Sequence, residues 1–336
     1  MCKAPTETPK QRYVKAGFPP YFAEDFLSSH WQVTQRCNFH CPYCVNKELR
    51  TAGIHMPPEI MHAALLHIAG TPRRRYRFSL SGGETTLWPH LEEMLDAIRT
   101  LYTPRTAVNM LTNGSASASR MRALLKDFSQ LACRFIITVH FGQTRIETLV
   151  EKLLTFTPEE RKLHFHVKLL LPPADARGAT ARAFLDAAGI TNYAVQPVLD
   201  FTTGLLAKGY TEAEFADFNP PVGQRSHFHF EHVREDGDSK DVSFLDGLRQ
   251  DLFHYTGMRC AAGHSSIYID ELGRVSRGQF CGRMPYTVLE RNPFEDPTFN
   301  GCVCTESFCT CIPFTALPKW RDAVNAPAWA HNEVPA

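Results

Sequence analysis

Trp31-Gln-Val-Thr34 runs through two residues into Cys37-Asn-Phe-His-Cys41-Pro-Tyr-Cys44, so that a short strand candidate ends in a C-x3-C-x2-C loop. Three thiolates this close in sequence suit one iron–sulfur cluster or zinc, the centres that soft sulfur ligands select. No fourth thiol follows nearby. Three ligands on a four-iron cluster leave one iron free to bind another molecule. Zinc is the rival reading, although zinc sites more often pair two C-x2-C units or combine Cys with His. A disulfide framework fits poorly. A chain of 336 residues needs no such staples, and its start, MCKAPTETPKQRYVKAG, has no apolar signal segment.

Some forty residues on, Phe78-Ser-Leu-Ser81 runs into Gly82-Gly83-Glu84. An apolar strand ending in two glycines lets a ligand approach the backbone, because no side chain obstructs it. The carboxylate that follows is able to accept hydrogen bonds from an ammonium group. Alone, such a tripeptide reads as a plain turn. Its position one βα unit after the cysteine triplet gives it weight.

With these motifs in this order, the sequence resembles the radical S-adenosylmethionine (radical SAM) enzymes. The residues that carry the likeness are Cys37, Cys41 and Cys44, the aromatic Tyr43 before the third cysteine, and Gly82, Gly83 and Glu84 at a strand end. The resemblance implies that the three cysteines bind a [4Fe–4S] cluster. It further implies that the amino and carboxylate groups of S-adenosylmethionine chelate the fourth iron. Gly82-Gly83-Glu84 would then hold the methionine ammonium, and Tyr43 would lie against the adenine.

The hydrophobic pattern yields a compatible architecture. Leu91, Met94, Leu95, Ile98, Leu101 and Tyr102 recur at helical steps within 88–102. Val108-Asn-Met-Leu-Thr112 reads as a strand closed by Asn113-Gly114, a turn dipeptide. Met121, Leu124, Leu125 and Phe128 mark a helix, Phe135–Val139 a strand, and Ile146, Leu149, Val150, Leu153 and Leu154 a further helix. The strand His166–Leu171, a helix near 178–189 and the strand Tyr193–Val198 complete the series. Six strands alternating with helices predict an α/β fold with a parallel sheet, a partial (β/α)6 TIM-like barrel. Ligands on such sheets bind at the carboxyl ends of the strands. The cysteine loop, Gly82-Gly83-Glu84, and Thr112 with Asn113 all fall there. His140, Lys168 and Gln196 are further candidates near strand ends, for the ribose, carboxylate or adenine of the cofactor, or for the substrate. His164, His227 and His229 have no metal-ligand spacing.

Beyond about 220 the alternation stops and cysteines return at Cys260, Cys281, Cys302, Cys304, Cys309 and Cys311. Between the first two, Ser266–Asp270 and Arg274–Ser276 flank Gly273 as a β-hairpin, which brings distant cysteines together. This region resembles the SPASM/Twitch extension of radical SAM enzymes, which holds auxiliary iron–sulfur clusters. The tail departs from the usual two-cluster pattern, and six thiols are too few for two fully ligated clusters. One auxiliary [4Fe–4S] cluster is the expectation, with a zinc ribbon as the rival. Cys133 reads as a small core residue and Cys2 as part of a mobile terminus.

The expected organisation is an N-terminal arm (1–30) laid across the barrel, a radical SAM partial barrel (31–220) and a cysteine-rich auxiliary-cluster domain (221–336). A net charge of +1 gives no electrostatic footprint for nucleic acid, and no apolar run is long enough to span a membrane. Arg73-Arg-Arg75 reads as solvated surface. Eleven cysteines without a signal segment fit a reducing cytoplasm. The resemblance implies an oxidoreductase- or isomerase-type enzyme that cleaves S-adenosylmethionine to a 5′-deoxyadenosyl radical. Its partners would be an electron donor such as flavodoxin or ferredoxin, and a small-molecule (sugar- or cyclitol-like) or ribosomal peptide substrate. A metal-binding electron carrier or scaffold without radical chemistry is the alternative.

Overall fold

The computed structural model describes residues 13–17, 25–44, 53–101, 106–126, 132–200, 205–218, 229–279, 281–309, 316–327 and 330. After a first strand, β1 (Tyr13–Gly17), the chain builds six parallel strands: β2 (Phe26–Thr34), β3 (Arg75–Gly82), β4 (Thr106–Thr112), β5 (Ala132–His140), β6 (Phe165–Leu171) and β7 (Tyr193–Pro197). Between them run helices α1 (Pro58–Ala69), α2 (Leu91–Leu101), α3 (Ala118–Leu125), α4 (Ile146–Leu154) with α5 (Pro158–His164), and α6 (Arg177–Ala187). The six sequence-expected strands are all present, lengthened mostly at their amino ends. Helix termini follow local chemistry. Ser117 caps α3 by accepting from Arg120 N, and Thr157 and Glu160 form a capping box on α5.

One face of each strand feeds the core. Val108, Met110, Phe135, Ile137, Val167 and Leu169 are fully buried against the helices. Trp31, Phe78, Phe135 and Phe165 are among the largest fully buried side chains, and burying one such side chain contributes about 1.5–3 kcal/mol. Two helical positions depart from the expected faces: Leu101 and Leu154 are exposed, each at the last residue of its helix where the turn runs off the sheet. Tyr102 and Phe128 lie outside the described residues. Helix α2 starts at Leu91 rather than 88, because Trp88 is buried and donates its indole N–H to Met56 O at 2.9 Å. Helix α1 was not foreseen. Its stretch carries Leu66 on the exposed side as well as five buried residues, which blurs the one-sided pattern.

The rest of the chain divides between two sheets. A short pair, β8 (Leu199–Asp200) and β9 (Leu205–Leu206), leads to α7 (Glu212–Phe218), β10 (His229–Arg234), β11 (Ser239–Ser243), α8 (Phe244–Arg249) and β12 (Arg259–Cys260). The expected hairpin is β13 (Ser266–Ile269) and β14 (Arg274–Gly278), followed by β15 (Cys281–Thr287), β16 (Cys302–Val303) and β17 (Lys319–Trp320). The hairpin joins the main sheet: β13 pairs parallel with β2, Ser266 opposite Ser28 through Ile269 opposite Trp31. This extends the sheet to nine strands in the order β15-β14-β13-β2-β3-β4-β5-β6-β7, open between its end strands. The physical reason is burial. Every residue of β2 and of β13 is buried, so neither tolerates a bare edge.

The N-terminal segment also differs from an arm across the barrel. β1 lies inside a second sheet, ordered β11-β10-β1-β17-β12-β16, which encloses its own apolar cluster of Ala16, Phe230, Phe253, Tyr255, Met258 and Trp320. The basic run is not free surface either. Arg73 donates to His264 O at 3.1 Å, and Arg75 pairs with Asp25 at 2.7 Å. Cys133 is a core residue, as its neighbours in sequence suggest.

Candidate active site

The cysteine loop is held by the ends of β2, β3 and β4. Gly83 N donates to Thr34 O and Glu84 N to Arg36 O, each at 2.7 Å, so the chain entering the loop is zipped to the end of β3. A Cβ on Gly82, whose φ is +141°, would stand 2.0 Å from Thr34 O, and one on Gly83 would stand 2.1 Å from Arg36 O. The close approach that these glycines permit is therefore that of the cysteine loop's own backbone. The loop turns on Cys44 N donating to Cys41 O at 3.2 Å, with Cys41 buried and Cys37 and Cys44 half-buried.

Glu84 has no exposed surface. Its Oε1 accepts from Thr86 N at 3.1 Å, Thr86 Oγ1 at 2.5 Å and Thr112 Oγ1 at 2.7 Å, and its Oε2 accepts from Asn113 N at 2.6 Å. Most of the carboxylate's capacity is thus spent on joining the end of β3 to the end of β4, leaving room for one more donor at Oε2. Asn113 carries the junction to the thiols. Its Nδ2 donates to Asn38 Oδ1 at 2.9 Å and lies 3.8 Å from Cys37 Sγ, while Phe39 N points at the same sulfur at 3.4 Å. Two N–H donors aimed at Cys37 favour its thiolate, the form that ligates iron. The triplet's donor set therefore fits a cluster.

Tyr43 meets the end of β5. Its hydroxyl is 3.2 Å from His140 Nδ1, and the two rings stack with centroids 5.8 Å apart. Burial first, then the neighbouring Cys41, pushes the Tyr43 phenol up to about 12. Lys168, on β6, and Gln196, on β7, are half-buried on the opposite face of the sheet from the core residues. A cleft of about 390 Å³ is lined by Arg36, Cys37, Asn38 and Leu87.

Sequence reasoning missed a second polar cluster beside the loop. Glu271, buried in the β13–β14 turn, accepts from Gln32 Nε2 at 2.7 Å and from Gln35 Nε2, and Tyr268 Oη donates to Gln32 Oε1 at 2.9 Å. His30 stacks on Tyr268 and bonds Ser81 Oγ. An Asp-Glu-Leu-Gly turn carries no sign that its glutamate points inward, and only the parallel pairing of β13 with β2 brings it there.

At the C-terminal thiols, Cys260 pairs with Cys302 across β12 and β16, and Cys281 opens β15. Cys304 N donates to Met258 O and Cys309 N to Phe253 O. These five thiols are close enough to act on one another. Burial, then Cys260, Cys309, Cys302 and Cys304, raises the Cys281 thiol. Burial and Cys260 push Cys302 up to about 11, opposed by the Arg277 guanidinium. Buried thiols that hinder each other's ionisation are a donor set that a cationic metal centre would relieve. Among the described residues no three of these side chains close on a single metal-ion position. Cys311 lies outside the described residues, and the nine described cysteines are free of disulfides.

Residues 31–161 match the family model of the radical SAM superfamily. This chain contains a radical SAM domain. Over 179 residues the chain is 31% identical to GTP 3',8-cyclase 2 of Mycobacterium bovis, covering 51% of this chain and 42% of that protein. It is 38% identical over 129 residues to GTP 3',8-cyclase of Mycobacterium ulcerans, covering 36% and 35%. The matched part therefore spans less than half the length of these curated relatives. Among solved structures, native anSMEcpe with bound AdoMet and Kp18Cys peptide superposes with a TM-score of 0.54 at 15% identity, covering 81% of both chains. That likeness extends the shared fold beyond the radical SAM domain proper.

Proposed function

We propose that the chain is a radical SAM enzyme with a second, auxiliary iron–sulfur centre. The observation that carries this reading is the convergence of Cys37, Cys41 and Cys44 with Gly83, Glu84 and Asn113 at the carboxyl ends of three neighbouring strands. Cys37, Cys41 and Cys44 would hold a [4Fe–4S] cluster and, through its open iron, S-adenosylmethionine. When bound, this pair would supply a 5′-deoxyadenosyl radical for hydrogen-atom abstraction, the one electron needed to cleave S-adenosylmethionine to methionine and that radical coming through the cluster from an external donor. The protein's part is positional. Glu84 locks two strand ends together beneath the loop, Asn113 orients Cys37, and Tyr43 with His140 closes the side towards β5.

Four of Cys260, Cys281, Cys302, Cys304, Cys309 and Cys311 supply the ligands of the auxiliary cluster in this reading, supported by the raising of the Cys281, Cys302 and Cys304 thiols by burial and by neighbouring cysteines. Such a centre would take up an electron from a substrate radical, making the overall reaction an oxidation, or would bind the substrate during epimerisation or cross-linking. Two substrate classes have support. The relatives named GTP 3',8-cyclase favour a small molecule, and the fold shared with a peptide-bound protein favours a peptide. A flavodoxin or ferredoxin is the matching electron donor, and a reducing cytoplasm the matching compartment. No described helix is long and apolar enough to cross a membrane.

The test is anaerobic reconstitution with iron and sulfide, followed by S-adenosylmethionine and dithionite. Release of 5′-deoxyadenosine by the intact chain, and its loss in Cys41→Ala, is expected. Iron-loaded protein that binds S-adenosylmethionine and releases none would leave the electron-carrier reading standing instead.

A further inference from the structure

One row of residues crosses the second sheet in register. His232 on β10 is opposite Ala16 on β1, Ala16 is opposite Lys319 on β17, Lys319 is opposite Cys260 on β12, and Cys260 is opposite Cys302 on β16. In-register neighbours of an antiparallel sheet share a face, about 5 Å apart. A lysine therefore stands one strand spacing from one C-terminal thiol and two from another. The row is enclosed: Lys319 keeps 1% of its surface, and Ala16 and His232 keep none. Lysine is almost never buried so fully unless it is paired.

The ammonium is held in place by neutral groups. Lys319 Nζ donates to Leu317 O at 2.9 Å and lies 4.6 Å from the centre of the Tyr255 ring. The small Ala16, between His232 and Lys319 in the row, leaves room for that ring, whose hydroxyl is 2.9 Å from His232 Nε2. A cation on a ring's face opposes removal of an electron from the ring, so Tyr255 is a cradle for the charge and not an electron relay. A carbonyl and a π-face offset only part of the cost of enclosing an ammonium. Thiolates supply a full counter-charge, and thiolate is the form in which cysteine ligates a metal. The charge reaches a third thiol as well: burial raises Cys304, and Lys319 works against that rise. Arg277 is the cation on the Cys302 side, but it is half-buried and engaged by Phe299 O and Thr298 O. Solvent screens an accessible charge and leaves an enclosed one at strength.

We propose that Lys319 tunes the auxiliary centre, its enclosed positive charge beside Cys260, Cys302 and Cys304 raising the reduction potential of a cluster held there. The net charge of an iron–sulfur cluster becomes more negative by one unit on reduction, and a fixed cation favours the more negative state. This rests on the auxiliary-cluster reading and adds to it the residue that controls electron uptake. Of the two roles given above for the centre, acceptance of an electron is the one that such a charge serves.

Redox titration of the anaerobically reconstituted full chain, followed by electron paramagnetic resonance, tests this on the wild type, Lys319→Met, Lys319→Gln and Lys319→Arg. The variant Cys37→Ala/Cys41→Ala/Cys44→Ala, titrated beside them, identifies the signal of the auxiliary centre. Lys319→Gln keeps a donor for Leu317 O and so separates the hydrogen bond from the charge. Both neutral variants should make reduction of the auxiliary centre about tenfold less favourable, a fall of about 59 mV for one electron. Lys319→Arg should restore more than half of that difference, and the potential of the first centre should not move. An unchanged auxiliary potential in both neutral variants overturns the proposal. So does recovery of less than half in Lys319→Arg, which would assign the effect to packing, or loss of the auxiliary iron from both neutral variants, which would make the lysine structural. A wild type with only four iron atoms per chain removes the auxiliary centre itself, a separate failure read from iron content before any titration.

Discussion

Gln32 donates a hydrogen bond of 2.7 Å to Glu271, a residue 239 positions later in the chain, and both are buried. Gln35, two residues before the first cysteine of the loop, donates to the other oxygen of the same carboxylate. One side chain from the cysteine-rich third therefore holds the approach to the cysteine triplet. Removing it leaves two buried amides without their acceptor. Each hydrogen bond to a charged group contributes about 1.5–3 kcal/mol, so Glu271→Ala should destabilise the fold by about 3 kcal/mol or more in urea unfolding. It should also lower the iron retained at Cys37, Cys41 and Cys44 when the later cysteines are replaced. Full iron retention there would show that the two regions are not coupled through Glu271.

Glu84 and Gly83 make a second prediction about the same loop. Glu84→Gln keeps the shape but replaces one accepting oxygen with an amide that donates, facing donors on Thr86, Thr112 and Asn113. A cost of about 1–3 kcal/mol follows from leaving a buried donor unmatched. Gly83→Ala drives a Cβ into Arg36 O, and backbone rather than a flexible side chain has to give way. Iron content per chain should fall more in Gly83→Ala than in Glu84→Gln, as measured after anaerobic reconstitution. The opposite order would mean that the loop is held by the carboxylate alone.

Acid sensitivity follows from two enclosed histidines. Burial holds His30 and His232 down to about 4, from an ordinary value of 6.5. In the unfolded chain both take up protons as pH falls through 6.5, while in the folded protein they stay neutral until about 4. The unfolded state binds more protons in that window, so stability present above pH 6.5 is lost as the pH falls towards 4. Each histidine contributes on the order of 3 kcal/mol to this loss. Urea unfolding of the cluster-free protein at pH 7 and pH 5 should show the drop, and His232→Asn should flatten it. An unchanged slope in that variant would mean that His232 is protonated in the fold.

Much of the site was legible because its chemistry is local in sequence. Cys37, Cys41 and Cys44 sit in one loop, Gly82 to Glu84 in one strand end, and each of the six parallel strands carries its own apolar signature. What was hidden depends on long-range pairing. Nothing in Ser266–Ile269 distinguishes a hairpin of a separate domain from a strand added to β2, and only the shared burial of both faces decides it. Tyr13–Gly17 reads as an arm until β10 and β17 flank it. The role of the two glycines was also hidden. A sequence shows that backbone approach is permitted, but not that the approaching group is Thr34 and Arg36 of the same chain.

The later cysteines yield the last prediction. Cys260 and Cys302 face each other across β12 and β16, burial with Cys260, Cys309, Cys302 and Cys304 raises the Cys281 thiol, and burial with Cys260 and Cys309 raises Cys304. If these thiols hold one [4Fe–4S] cluster, reconstituted wild type should contain about eight iron atoms per chain, four at each centre. The double variant Cys260→Ala/Cys281→Ala should fall to about four while keeping S-adenosylmethionine binding, whereas a zinc site would lose zinc and no iron. Cys281 is the more informative single position. Burial and its four sulfur neighbours all raise its thiol, so among the described thiols it bears the influence of the other four, and Cys281→Ser should weaken the auxiliary centre selectively. Iron unchanged in both the double variant and Cys281→Ser would remove the auxiliary cluster from the assignment and leave the first centre intact.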